Sequence, residues 1–254
     1  MKEEDIIMSK KDKKSSKKSK KNAVKPVILL SFDGTIMDTE PAILATYRHI
    51  FAKYDKGSEF TKDVSMEVLD SSALAMMKKY FPEQDPKAMV AEYRAYQDYH
   101  LRDLIQPMKG VVDFLIWLKE SGYKVGIVSV KERSAVMDLL EHSNMAQLID
   151  VVIGNAGAGT ETLASDSIIT ACAIMDAKFC VFIADSAVDM AAGREAGVLC
   201  IGFVHNRDKT PALLESHPDF MTASFREIRK LIENEPLWVA YPLTAEKIED
   251  DSDD

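Results

Sequence analysis

Five short apolar runs punctuate the chain, at 27–30 (Val-Ile-Leu-Leu), 125–128, 151–153, 180–183 and 199–202. Uninterrupted runs of this length, rich in Val and Ile, predict strands covered on both faces, as in a parallel sheet. Between most of them the apolar positions recur every three or four residues. Val111, Phe114, Leu115 and Leu118 share a face within 110–120, and 134–142, 167–175 and 187–196 repeat the pattern. Strands alternating with helices predict an α/β fold with a Rossmann-like parallel sheet, wound through crossover connections.

One interval breaks the alternation. From about 40 to 107 the sequence holds helical patterns and no convincing strand: Tyr47, Ile50, Phe51 and Tyr54 fit one face, Leu74, Met77, Tyr80 and Phe81 a second, Val90, Tyr93, Tyr96 and Gln97 a third. The interval is too long for a simple connection. It predicts an inserted all-helical cap domain over the C-terminal edge of the sheet, where open α/β folds bind ligands, with the Met and Tyr stripes as the cap's own core. The expected division is a core of 26–39 and 106–232, a cap of 40–105, and two tails, 1–25 and 233–254.

Composition adds exclusions. With 46% hydrophobic and 29% charged residues the chain is of globular type, and 11 Gly, 9 Pro and 3 Cys exclude collagen-like and disulfide-framework classes. The net charge of −9 conceals segregation: residues 1–25 carry ten Lys against four acids, and 245–254 six acids against one Lys. Residues 9–21 contain nothing apolar, so this Lys-rich tail is expected to be disordered, as a solvated arm or as an anchor for nucleic acid, anionic lipid or an acidic partner. Nucleic acid is not the expected partner of so acidic a body. The basic run leads straight into the first predicted strand, unlike a secretory leader, and no apolar run approaches the ~20 residues of a membrane span. Cys172, Cys180 and Cys200 sit in apolar stretches without metal-ligand spacing, which predicts buried thiols and a reducing, cytoplasmic setting. The five His residues show no paired ligand spacing and no nucleophile partner. Gly154, Gly157 and Gly159 lack a following Lys-Ser/Thr and read as a flexible loop rather than a phosphate loop.

The run Val27-Ile28-Leu29-Leu30-Ser31-Phe32-Asp33-Gly34-Thr35 resembles the first signature of the haloacid dehalogenase superfamily, an apolar strand followed by Asp-x-Asp-Gly-Thr. Gly126-Ile127-Val128-Ser129-Val130-Lys131 resembles the second, and Ile183-Ala184-Asp185-Ser186-Ala187-Val188-Asp189, followed by an Ala-rich helix, the fourth. The helical insertion and the stretches 89–104 and 115–131 are most similar to the phosphoglycolate phosphatase and inorganic pyrophosphatase branch, with its helical C1-type cap.

The resemblance implies a chemistry. The first Asp attacks phosphorus, the second protonates the leaving group and then activates water, and a magnesium ion joins the phosphate to carboxylate and carbonyl oxygens. Carried onto this chain, it makes Ser31 the substituted nucleophile position and Asp33 the acid and base. Ser129, Val130, Gly34 and Lys131 become the phosphate-binding positions, and Asp33, Asp185 and Asp189 the metal set. Two parts depart from the pattern. Ser31 stands where the nucleophilic Asp belongs, and alignment on Asp166 puts Thr162 where the third signature has Lys. Lys131 and Arg133 read as solvated charges at a helix N-terminus, with relocation into the site as the alternative. The expectation is a phosphatase-fold protein that is catalytically impaired, holds Mg²⁺ weakly or not at all, and binds a phosphorylated small molecule or a protein partner. The alternative is an active Mg²⁺-dependent phosphohydrolase with a variant mechanism.

Overall fold

A computed structural model of the chain describes residues 24–69, 71–155, 165–234, 240 and 242–243. The Lys-rich tail up to residue 23, most of the acidic C-terminal tail, and Thr162, Gly157 and Gly159 lie outside the described residues.

The first strand, β1 (Val27–Leu30), is buried along its whole length. A tight loop returns the chain through β2 (Met37–Asp38), with the Gly34 N–H donating to Met37 O at 2.8 Å. Four helices follow, α1 (Glu40–Lys53), α2 (Lys62–Leu69), α3 (Ala73–Tyr80) and α4 (Pro86–Tyr96), then a π-helical turn Gln97–Leu101. Their boundaries are written locally. Ser72 caps α3 by accepting from Ala75 N at 3.2 Å, Asp85 caps α4 by accepting from Lys87 N at 3.1 Å, and Pro41 and Pro86 occupy first-turn positions that need no N–H donor.

These helices form the predicted cap and have a core of their own. Tyr47, Ile50, Phe51, Met77, Phe81 and Tyr93 are buried together, with the Phe51 ring 5.1–5.3 Å from those of Phe60, Tyr80 and Phe81. The expected stripes are therefore packing surfaces.

The chain leaves the cap through β3 (Gln106–Pro107), which pairs antiparallel with β2 in a separate two-stranded ribbon. This two-stranded ribbon flanks the helical insertion and was not expected; two-residue strands leave no periodicity to read. Then come α5 (Val111–Glu120), β4 (Val125–Glu132), α6 (Arg133–His142), β5 (Val151–Asn155), α7 (Ser165–Ile174), β6 (Cys180–Ala184), α8 (Ala187–Ala196), β7 (Leu199–Phe203), α9 (Thr210–Glu215), β8 (Phe220–Thr222) and α10 (Phe225–Asn234). The main sheet is parallel throughout, in the order β5-β4-β1-β6-β7-β8.

Residues of β1 alternate between two layers. Ile28 and Leu30 pack with Val111, Leu115, Leu118 and Ile228 on one face, Val27 and Leu29 with Ile168, Cys172 and Ala196 on the other. All three cysteines are buried, as expected.

Three further corrections bear on the site. β4 runs past Val128 to Glu132, with a register shift against β5 between those residues, so Lys131 is on a strand and not at a helix start. Gly154 belongs to β5 rather than to a loop. β8 and α10 close one edge where no element was predicted. Among the described residues no helix is long and apolar enough to cross a membrane.

Candidate functional site

The sheet order reverses at β1: β4 and β5 lie to one side, β6, β7 and β8 to the other. Crossovers leaving in opposite directions open a crevice beyond the carboxyl ends of these strands. The crevice is a cavity of about 490 Å³ roofed by the cap. Ser31, Asp33, Ser129, Val130, Lys131, Asp185 and Asp189 line it. Gly34, the remaining predicted position, lies beneath Asp185. Three ion pairs join cap or insertion to core around this space: Arg94 to Glu132 at 2.8 Å, Lys62 to Asp208 at 3.2 Å, and Arg102 to Asp138.

Ser31 directly follows β1, and its N–H donates to Ile183 O at 2.9 Å. Its buried hydroxyl shares a 2.7 Å hydrogen bond with the Thr35 hydroxyl. That partner is no base, so it does not activate the serine as a nucleophile. Asp33 projects into the cavity, where Lys131 Nζ stands 3.4 Å from its Oδ1. The contact is too poorly directed to be a hydrogen bond, and Oδ1 has no other partner. The Lys131 charge, rather than a directed hydrogen bond, is what compensates this buried oxygen. Lys131 is thus drawn into the site while Arg133 stays exposed. This corrects the reading of Lys131 as a solvated charge; the longer β4 turns its side chain inward. Ser129 Oγ accepts from Lys131 N at 3.1 Å, which helps shape this irregular strand end. From the cap, Tyr93 accepts a hydrogen bond from Gln97 at 3.2 Å. Burial, and then the charge of Asp33, push its hydroxyl well above the ordinary tyrosine range.

Asp185 follows β6 and is 4% exposed. Its Oδ2 accepts from Lys209 Nζ at 2.7 Å and faces His205 Nε2 at 3.1 Å. Burial alone would raise this carboxyl, but the His205 bond and the Lys209 charge outweigh it and hold the group below its usual range. Sequence reading missed both partners, having found none for any histidine. His205 lies just beyond β7, next to β6 in the sheet, and Lys209 ends the 3-10 turn Arg207–Lys209. Their place after a strand end was the available signal; their reach toward Asp185 was not. Asp189 sits in the first turn of α8, where its N–H donates to the Ser186 cap at 3.1 Å.

A family model described as a haloacid dehalogenase-like hydrolase matches residues 28–203. The chain belongs to the haloacid dehalogenase-like hydrolase family. Within it, the pyrophosphatase PpaX of Listeria monocytogenes serotype 4b is 26% identical over 210 residues, 82% of this chain and 96% of its own. That of Halalkalibacterium halodurans is 27% identical over 173 residues, 67% of this chain and 80% of its own. In fold the chain is similar to a haloacid dehalogenase-like hydrolase from Streptococcus pneumoniae (TM-score 0.72, 18% identity, 82% of this chain and 99% of that one). A predicted phosphatase from Clostridium acetobutylicum is equally near (TM-score 0.71, 19% identity, 83% and 99%).

The magnesium implied by the family does not fit this donor set. Ser31 places a hydroxyl where the family pattern has a carboxylate, and one Asp185 oxygen, Oδ2, is already engaged by an ammonium and an imidazole. Among the described residues no three His, Cys, Asp or Glu side chains converge closely enough to hold an ion.

Proposed function

We propose that the chain binds a phosphorylated small molecule between sheet and cap and does not hydrolyse it at the rate of a phosphatase. The observation that carries this is Ser31, which presents at the nucleophile position a buried hydroxyl bonded to Thr35 and no carboxylate. A phosphoserine ester, were one formed, resists water far more than an acyl phosphate. Loss of a covalent nucleophile costs about 10³- to 10⁶-fold in rate. Lys131, Ser129, Val130 and Gly34 are the proposed phosphate contacts, in a core of 26–39 and 106–232 under a cap of 40–105. The cavity of about 490 Å³ suits a small ligand. Three buried free thiols favour a reducing cytoplasm.

A second reading rests on the Asp33–Lys131 pair at 3.4 Å. Asp33 as base for water, with Lys131 as a relocated cation, makes an active phosphohydrolase of the pyrophosphatase or phosphoglycolate phosphatase type. One assay separates the two. Release of phosphate from pyrophosphate, phosphoglycolate and p-nitrophenyl phosphate, with Mg²⁺ and beside the Listeria PpaX relative, is expected to be at least about 10³-fold slower than that enzyme's best substrate. Activity within about tenfold of it, abolished by Asp33→Asn, would install the second reading.

A further inference from the structure

The Lys209 ammonium is buried and paired with Asp185. The 3-10 turn that carries it is capped by Asn206, whose Oδ1 accepts from Asp208 N at 2.9 Å. The Asn206 amide also donates to both carboxylate oxygens of Glu40, at 3.0 and 2.9 Å, tying the turn to the start of the cap. Lys209 is only 8% exposed and lines the same cavity as Ser31 and Asp33. Long side chains normally keep such a charge in water. Here it is desolvated against a carboxylate that is itself buried, and His205 shares the same oxygen.

We propose that Lys209 occupies the seat of the divalent cation, so that the cavity takes an anionic phosphate group without metal. A magnesium ion bonds oxygen at about 2.0–2.1 Å and demands near-octahedral space. To reach Asp185 Oδ2 it must displace an ammonium at 2.7 Å and an imidazole at 3.1 Å. That oxygen lies directly over the Gly34 backbone, where a β-carbon would stand 2.1 Å from it. Charge gives an independent argument. With Ser31 neutral, Asp33 and Asp185 each face one ammonium, Lys131 and Lys209, and Asp189 is the third of the expected carboxylates in the cavity wall. A dication added to this arrangement has one negative charge fewer to meet it than in a site with Asp at the position of Ser31.

This inference rests on the reading of the cavity as a phosphate site, and its test is built to fail separately. The full chain is titrated with Mn²⁺ while the free hydrated ion is followed by electron paramagnetic resonance, and binding of inorganic phosphate is measured calorimetrically in EDTA and in excess Mg²⁺. The expected result is no stoichiometric Mn²⁺ binding and equal phosphate affinity in both buffers. Lys209→Met should weaken phosphate about ten- to hundredfold in EDTA, the loss of one charge-assisted hydrogen bond, and should gain Mn²⁺ binding at the exposed Asp185. Lys209→Arg, which keeps the charge, should gain none. Circular dichroism checks that the Met variant is folded; if it is not, the wild-type and Arg titrations decide. One Mn²⁺ bound per wild-type chain, or phosphate binding that requires Mg²⁺, overturns the assignment; no phosphate binding in either buffer overturns the reading of the cavity as a phosphate site, on which the assignment rests. Rapid turnover of a phosphate ester in EDTA would instead end the reading as a non-hydrolysing binder and leave Lys209 in its seat.

Discussion

Gly34 shows how finely the site depends on a single side chain being absent. Its φ of +69° is left-handed, and a β-carbon there would lie 2.1 Å from Asp185 Oδ2 and 2.8 Å from His205 Nε2. Gly110 shares the left-handed backbone, at φ +84°, but a β-carbon on it meets nothing within 4 Å. The two alanine variants therefore separate backbone strain from steric conflict. Gly110→Ala should cost about 1–3 kcal/mol in urea denaturation, with phosphate affinity unchanged. Gly34→Ala should cost at least as much and also lose phosphate binding, because the Asp185–His205–Lys209 cluster must move. Equal phosphate affinities for the two variants would contradict this account.

At the scale of elements, the corner between β4 and α6 aims Lys131 at Asp33, and β5 holds the corner in place. A β-carbon on Gly154 would stand 2.4 Å from Arg133 N, 2.6 Å from Arg133 Cα and 2.8 Å from Lys131 O. All three are backbone atoms, which yield less than side-chain tips. Glycine within a strand marks such a close approach of another backbone. Gly154→Ala is expected to lower stability by about 1–3 kcal/mol, as overpacking does, and to weaken phosphate binding by shifting Lys131. Native stability combined with native phosphate affinity in a calorimetric titration would show that β5 does not set the corner. The ribbon of β2 and β3 does the matching job for the cap, joining both ends of the insertion at one point.

Across the whole molecule, Cys172, Cys180 and Cys200 belong to one buried layer on one face of the sheet. Burial, followed by the charge of Asp219, pushes the Cys200 thiol up to about 12, and burial drives Cys180 upward as well. A thiol whose pKa rises on folding keeps its proton longer in the native chain than in the unfolded one. Its contribution is fully present below the ordinary value of about 8.5 and is lost as pH rises toward the folded value, at about 1.4 kcal/mol per pH unit for each thiol. Urea midpoints should therefore fall steeply above about pH 9, and Cys200→Ala should flatten that fall while lowering the plateau by its cavity cost. A thiol reagent should find no reactive cysteine in the native chain at neutral pH; rapid labelling would show that this layer opens.

The helical cap, the parallel strands and the Ser31 substitution were all legible in the sequence, because each is a local pattern: a period of 3.6, a continuous apolar run, or a motif at a strand end. The cap core followed from its stripes, and the cysteines from their apolar neighbours. The short elements β2, β3 and β8 were not legible, since two or three residues carry no periodicity and pair only where the sheet offers an edge. Nor was the charge balance of the site. Lys209 is 24 residues from Asp185, and Lys131 lies in a different strand from the loop that carries Asp33. Which side chains meet depends on strand order, on the register of β1 with β4 and β6, and on where β4 ends. The sequence by itself determined that Ser31 stands where the first family signature has an Asp. Only the tertiary structure decided that an ammonium and an imidazole close on Asp185, because hydrogen bonds between buried charges require the positions, to within tenths of an ångström, that packing alone supplies.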